Sequence, residues 1–158
     1  MSRKMNRKEE RELALRGIFQ IDFHAEDAEL DTSLKNFFEL AGQGDPEDEV
    51  SGMTGGYAKK VIDAALENQG AIDALIASHL KETWDFSRVP KMEKAILRLG
   101  VTELLYTKVP KEVAINEAVE LAKKYASEES KTYINGILNR VAVEHKGLME
   151  HGWSISGN

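Results

Sequence analysis

Four basic side chains near the N-terminus have the spacing of one helix face. Lys4, Arg7, Lys8 and Arg11 stand at positions i, i+3, i+4 and i+7, which lie on the same side of an α-helix. Ammonium and guanidinium groups gathered in this way attract phosphates, so this basic stripe predicts contact with a polyanion. The alternative is a solvated face on which Glu12 pairs with its basic neighbours, and the charge pattern alone leaves both interpretations open.

Tyr133 is a second candidate for binding. An aromatic ring near the start of a helix can stack on a nucleobase that has left its own stack. Tyr133 also begins a helical stripe that continues through Ile137 and Val141, and such stripes are more typical of core side chains. Spacing alone does not decide between the two roles.

Residues that could support catalysis lack the spacing that catalysis needs. The chain has no cysteine, and its four histidines form no HExxH pair. The segment 24–26 reads H-A-E, but it lacks the cysteine pair that completes a zinc deaminase site. We interpret the histidines as surface residues. We therefore expect no catalytic residue, no metal site and no cofactor, which indicates a binding protein rather than an enzyme.

Two other groups of residues could in principle serve phosphates. The segment 52–60 places glycines and lysines before a helix, but without the GxxxxGK[ST] spacing of a phosphate-binding loop, and a flexible loop is the better interpretation. Further basic residues lie on amphipathic helices, where such residues usually solvate the outer face. These residues are Lys94, Arg98, Lys123 and Lys124.

Charge is distributed unevenly along the 158 residues. The net charge is −6, yet residues 1–16 carry six bases against three acids, so that the remaining chain has a charge of −9. This asymmetry would direct a polyanion to the N-terminal face. The first eight residues do not resemble a secretory signal, and no apolar run is long enough to span a bilayer. We expect a cytoplasmic protein that is not inserted in a membrane.

The elements that position these residues are predicted to be helices, because apolar residues recur at three- and four-residue spacing and alternating strand patterns are missing. The fold class is all-α, with about seven helices in two small subdomains that share a core. The predicted helices cover residues 6–24, 31–40, 57–68, 71–80, 91–106 and 111–125, and a last one runs from a cap at Ser127 through Val141.

We expect a single domain over residues 1–146, followed by a frayed tail at 147–158. Its N-terminal subdomain would cover 6–82 and its C-terminal subdomain 84–146, with the apolar helix 91–106 at the centre of the latter. Other features are expected at the junctions: Trp84 and Phe86 filling the seam between the subdomains, Gly70 ending one helix, and a mobile glycine-rich acidic loop at 42–56.

Several segments together resemble one protein family. Residues 109–125, VPKEVAINEAVELAKKY, are similar to the signature of the NusB family of bacterial transcription antitermination factors. The match continues in YINGILN at 133–139, in EKAILRLG at 93–100 with the preceding Trp84, and in RELALRGIF at 11–19. The resemblance covers nearly the whole chain and is weakest between about residues 22 and 56.

This resemblance implies an all-helical protein that binds boxA RNA of ribosomal RNA operons together with NusE, a ribosomal small-subunit protein. The pair would act within an RNA polymerase elongation complex and help it to resist termination. The family's RNA surface maps onto Arg7, Lys8, Arg11, Glu129, Thr132 and Tyr133, to which the basic stripe adds Lys4. Glu93 lies on the aligned partner-facing helix.

The chain departs from the family pattern at several positions. Glu9 and Glu10 interrupt the basic cluster, and Thr132 stands where a lysine can occur, so RNA affinity without NusE is expected to be reduced. The resemblance also directs attention to Asn116 and Asn135, which we expect to hydrogen-bond buried helix ends. Gly136 is expected to permit close helix approach. The family offers no role for the loop at 42–56.

Two other interpretations stay open at this point. The same fold forms an N-terminal domain of RNA cytosine methyltransferases, so the chain could be a non-catalytic interaction module, although we expect no methyltransferase domain here. Some family members form dimers. A homodimer of this chain would cover the RNA surface through the apolar helix face beside the basic stripe.

Overall fold

The computed structural model describes residues 6–24 and 56–145. These residues contain helices and no strand, which confirms the all-α prediction. The helices are α1 (Arg7–His24), α2 (Tyr57–Glu67), α3 (Gln69–Ser78), α4 (Lys91–Tyr106), α5 (Lys111–Tyr125) and α6 (Glu128–Glu144), with a 3₁₀ turn at Phe86–Arg88. The predicted helix at 31–40, the tail at 147–158 and nearly all of the loop at 42–56 lie outside the described residues. None of the described helices combines the length and apolarity needed to cross a membrane.

Proline sets the start of two helices. α4 follows Pro90 and α5 follows Pro110, with φ angles of −56° and −58°. Proline is favourable at such a position because its fixed φ suits the helix and its missing N–H would have no partner there. The predicted bounds 91–106 and 111–125 are thereby confirmed.

The break between α2 and α3 lies at Asn68, and the prediction that Gly70 ends the helix is wrong. The Asn68 side-chain amide donates to the Ala64 carbonyl at 2.9 Å, which completes the last turn of α2. The backbone carbonyl of Asn68 then accepts from the Ile72 amide at 2.9 Å and begins α3. An asparagine can end one helix and start the next because its amide replaces a backbone partner. Gly70 is an exposed residue in the first turn of α3.

The chain divides into two compact units, residues 1–63 and residues 64–158. In the first unit, α1 and the start of α2 bury one apolar side each. The buried side chains are Leu13, Ala14, Leu15 and Ile18 of α1 and Ala58, Val61 and Ile62 of α2. Ala14, Leu15 and Ile18 thus form the core face of α1. The division into subdomains at 6–82 and 84–146 stays a prediction.

In the second unit, α4 is the central helix, as predicted. It packs against α3, α5 and α6, and every residue from Lys94 to Tyr106 is buried. The close approach of α4 and α6 lies at Gly100, where a Cβ atom would stand 2.7 Å from the Leu138 Cδ1 atom. At Gly136, by contrast, a Cβ atom would meet only the Arg140 Nη1 atom at 3.4 Å. The expectation that Gly136 permits close packing is therefore wrong for the contacts described.

Several polar side chains of this unit are buried, among them Lys94, Arg98 and His79, so the expectation that Lys94 and Arg98 solvate an outer face is wrong. The Arg98 guanidinium donates from Nε to Asp73 Oδ1 at 2.8 Å and from Nη2 to Asp73 Oδ2 at 2.9 Å, so that α4 is tied to α3. Arg98 thus has a structural partner and does not solvate an outer face. The His79 side chain is 5% exposed, with Nδ1 2.9 Å from the Leu75 carbonyl oxygen. The expectation that the histidines lie at the surface is wrong for His79.

Candidate functional site

An aromatic pair forms the centre of the candidate site in the second unit. Trp84 lies in the connector before α4, and Tyr133 lies in the second turn of α6. Their ring centroids are 5.2 Å apart at an interplanar angle of 88°, an edge-to-face contact. The electropositive edge of one ring thus meets the electronegative face of the other, which holds both in place. Trp84 is 41% exposed, so it does not fill a buried seam as expected.

Glu93 of α4 holds Tyr133 from the other side. The Tyr133 hydroxyl donates to Glu93 Oε1, and the Ser130 hydroxyl donates to Glu93 Oε2. Both oxygens of this carboxylate therefore have a partner from α6. The resemblance assigned Glu93 to a protein partner and Tyr133 to RNA, and the structure brings these two residues into direct contact.

The start of α6 is fixed by a local cap. Ser127 has extended backbone angles of φ −160° and ψ 169°, and its hydroxyl oxygen accepts from the Ser130 amide at 3.0 Å. The Ser127 hydroxyl also donates to the Ser130 hydroxyl oxygen at 2.9 Å, and the Ser130 hydroxyl in turn donates to Glu93. A serine at this position satisfies one of the free amides of the first helical turn. The cap therefore positions the turn that carries Ser130 and brings Tyr133 towards Glu93.

The aromatic pair borders a surface pocket of about 460 Å³. The pocket is lined by Thr83, Trp84, Asp85, Arg88, Val89, Pro90, Glu93, Ser127, Glu129, Ser130 and Tyr133. The Asp85 carboxylate accepts the Ser87 amide at 3.0 Å, and this bond, with the Ser87 side chain, lowers the pKa of Asp85. Three acidic residues against one arginine make this pocket unfavourable for phosphate. The pocket suits a nucleobase, or a basic group of a protein partner.

The basic residues of α1 belong to the first unit. Arg7 and Lys8 are exposed. The Arg7 guanidinium carbon lies 3.9 Å from the centroid of the Tyr57 ring, which is within cation–π distance. Arg11, by contrast, is only 4% exposed and offers little surface to a ligand in this conformation. Lys4 lies outside the described residues.

Glu9 and Glu10, which interrupt the basic stripe, have structural partners. The Asn6 amide donates to Glu9 Oε1 at 3.0 Å, and the Glu9 amide donates to Asn6 Oδ1 at 2.8 Å. This reciprocal pair is a capping box that fixes the start of α1 at Arg7. Glu10 Oε1 accepts the Ala58 amide at 3.0 Å and so satisfies a free donor of the first turn of α2. Sequence reasoning missed both roles, although an Asn-x-x-Glu spacing is the signal of a capping box.

The remaining predicted residues occupy exposed positions on α6. Glu129 and Thr132 are exposed, and the Thr132 hydroxyl lies 3.4 Å from the Glu128 carbonyl oxygen. Asn116 and Asn135 are also exposed, so the expectation that they hydrogen-bond buried helix ends is wrong. The buried positions of α5 and α6 are instead taken by aliphatic residues and, in α6, also by Ser130. Over residues 6–24 and 56–145, no group of histidine and acidic side chains could hold a metal ion.

These features define an all-helical protein whose candidate surfaces offer exposed rings, hydroxyls and basic side chains for binding. The NusB family model matches residues 8–143, and the chain belongs to the NusB family. The transcription antitermination protein NusB of Listeria monocytogenes is 36% identical over 143 residues, which are 90% of this chain and 100% of that protein.

Two solved structures extend this likeness to the fold. The NusB of T. maritima superimposes with a TM-score of 0.75 at 33% identity, covering 90% of this chain and 94% of that one. A structure of the antitermination factors NusB and NusE in complex with double-stranded RNA has a TM-score of 0.69 at 29% identity. It covers 85% of this chain and 94% of the chain it matches.

Proposed function

We propose that this protein is a transcription antitermination factor that binds boxA-type RNA of ribosomal RNA operons together with NusE. It would act in the cytoplasm as part of an RNA polymerase elongation complex, as a binding protein and not as an enzyme. The observation that carries the proposal is the likeness to a NusB found in complex with NusE and RNA, at 29% identity over 85% of this chain.

Phosphate contacts are assigned to the start of α1. Arg7 and Lys8 are exposed, and stacking of Arg7 on Tyr57 leaves the opposite face and the edges of the guanidinium available. Guanidinium and ammonium groups bind phosphates strongly, and such contacts make RNA affinity depend on salt. The burial of Arg11 removes it from this set in the present conformation. The RNA backbone is therefore assigned to Arg7 and Lys8, with Lys4 as a further candidate.

Base contacts are assigned to the aromatic pair on the second unit. Single-stranded RNA is recognised largely by stacking of splayed bases on aromatic side chains. Trp84 has an exposed ring beside Tyr133, and the acidic groups around them disfavour phosphate. Glu129 and Thr132 would accept from base amino groups or ribose hydroxyls. NusE is assigned to the neighbourhood of Glu93, so that partner and RNA would contact one cluster.

The proposal is tested by titrating fluorescently labelled boxA-type RNA with the protein, with and without NusE, at several salt concentrations. Replacing Arg7 and Lys8 together with alanine is expected to weaken binding to all sequences and to lower the salt slope by roughly 2, about one for each phosphate contact. Arg16→Ala is the matched control, because Arg16 is an exposed arginine of the same helix outside the basic stripe.

Helicity by circular dichroism should be unchanged in all three proteins. An affinity that does not rise with NusE, or that does not respond to salt, would refute the RNA function. A homodimer that covers the RNA surface is the alternative arrangement. Sedimentation would then show self-association that RNA reverses, and that reversal should be lost when Arg7 and Lys8 are replaced.

A further inference from the structure

A second surface groove lies between α5 and α6, and it shares no lining residue with the pocket at Trp84. Its volume is about 510 Å³. The lining residues are Lys111, Glu112, Ile115, Asn116, Val119, Lys123, Lys131, Thr132, Asn135 and Asn139. The groove thus combines aliphatic, carboxamide and basic side chains, and the proposed function uses only Thr132 among them.

The carboxamides of the groove leave hydrogen-bonding groups unused. Asn139 Nδ2 donates to the Asn135 side-chain oxygen at 3.1 Å and to the Asn135 carbonyl at 2.9 Å. This arrangement leaves the amide donor of Asn135 and the amide oxygen of Asn139 available next to each other. Asn116, on the facing helix α5, has no hydrogen-bond partner for its side chain among the described residues. An adjacent donor and acceptor is the pattern that reads the edge of a nucleobase.

The groove also carries an excess of positive charge, with three lysines against Glu112. Lys123 lies 3.4 Å from Glu120 and Lys131 lies 2.7 Å from Glu128, each within its own helix and partly exposed. Exposed ion pairs of this kind contribute little, so these lysines can exchange a glutamate for a phosphate at small cost. Lys111 has no ion-pair partner in the described part of the chain.

We propose that this α5–α6 groove binds a nucleotide of single-stranded RNA that flanks the boxA-type segment. The inference rests on the proposed function and extends the RNA path along α6. Ile115 and Val119 supply an aliphatic floor for the face of a base, while the carboxamides meet its edge and the lysines meet its phosphates. Thr132, which lines the groove, directly precedes Tyr133 in the chain, so both sites take residues from the same turns of α6.

An acidic protein segment is a poorer occupant. Its carboxylates would pair with the lysines and its backbone amides could donate to the Asn139 oxygen, but its acidic side chains offer no planar ring to cover Ile115 and Val119. The groove therefore matches a ligand that offers both donors and acceptors together with a negative backbone, as RNA does.

The test compares two labelled single-stranded RNAs in the presence of NusE: the boxA-type core, and the same core extended at both ends. The wild-type protein is expected to bind the extended RNA roughly tenfold more tightly, as one good base contact would give. Lys111→Ala and Asn135→Asp should remove this gain and leave binding of the core unchanged. Lys108→Ala is the matched control, since Lys108 is an exposed lysine just before α5 that does not line the groove.

The groove proposal would be overturned if the wild-type protein bound both RNAs equally, or if both groove variants still bound the extended RNA more tightly than the core. Binding of the boxA-type core would in either case still support the proposed function. Failure of the wild-type protein to bind either RNA with NusE would overturn both proposals together. A polyglutamate peptide that binds the wild-type protein but not Lys111→Ala, without any effect of RNA length, would assign the groove to an acidic protein segment. Because Lys111 and Asn135 are exposed, unchanged helicity of at least one variant keeps the test valid.

Discussion

Removing the carboxylate of Asp73 should destabilise the second unit far more than removing a similar carboxylate at the surface. The Arg98 side chain is 6% exposed and the Asp73 side chain 24%, and two hydrogen bonds of 2.8 and 2.9 Å join them. Asp73→Ala leaves the guanidinium in place but removes the carboxylate that accepts two of its hydrogen bonds. A buried charge that loses a hydrogen-bonded carboxylate cannot recover the solvation it gave up on folding.

Breaking a fully buried pair in this way costs about 3–5 kcal/mol. Because Asp73 is about a quarter exposed, water can partly replace the lost carboxylate, and we expect a loss of about 2–3 kcal/mol in the free energy of unfolding. With a urea dependence of about 2 kcal/mol per molar, the unfolding midpoint should fall by about 1–1.5 M.

Urea unfolding followed by circular dichroism measures this loss, and Asp63→Ala provides the control. Asp63 also pairs with a basic residue from within a helix, Lys59 at 2.7 Å, but the two side chains are 49% and 40% exposed. An exposed pair contributes less than about 1 kcal/mol, so the midpoint should fall by less than about 0.5 M. Both substitutions replace a helical aspartate with alanine, so the change in helix propensity cancels. Equal losses in the two variants would refute the argument from burial.

Two further predictions concern tyrosines. Tyr133→Phe removes the hydroxyl that donates to Glu93 and should lower the free energy of unfolding by about 1–2 kcal/mol. It should keep most of the RNA affinity, whereas Tyr133→Ala should lose about 1–3 kcal/mol of base stacking; an equal loss of affinity in both would contradict stacking. Burial raises the pKa of Tyr106, so its contribution to stability is complete below about pH 10 and is lost as the pH rises through the folded pKa. Urea midpoints at increasing pH should therefore fall more steeply for the wild-type protein than for Tyr106→Phe, and parallel curves would contradict this.

The helices could be predicted from the sequence because apolar periodicity and proline act locally. The bounds of α4 and α5 follow from Pro90 and Pro110 together with their apolar stripes. The break before α3 could not be placed in the same way. The position of this break depends on a side-chain hydrogen bond of Asn68, and the glycine two residues later does not determine it. Propensity alone favours Gly70, and the geometry of one carboxamide decides otherwise.

Site residues were harder to predict because their roles depend on partners that are distant in sequence. Periodicity placed Arg98 on an amphipathic helix, but only the fold brings it to Asp73, 25 residues earlier. The resemblance supplied Tyr133 and Glu93 as separate RNA and partner residues. Their mutual hydrogen bond needs a tyrosine hydroxyl, and it joins residues 40 positions apart. No spacing rule within one helix contains that information.

The two glutamates that interrupt the basic stripe change meaning once their partners are known. By charge alone, Glu9 and Glu10 would weaken phosphate binding at Arg7 through local neutralisation. In the structure, Glu9 closes the capping box that starts α1 at Arg7, and Glu10 binds the first turn of α2, next to Tyr57. The Tyr57 ring in turn supports the Arg7 guanidinium at 3.9 Å. A guanidinium held in place loses less conformational entropy when it binds phosphate. The acidic residues therefore reduce the net charge of the stripe but organise the side chain that we assign to RNA.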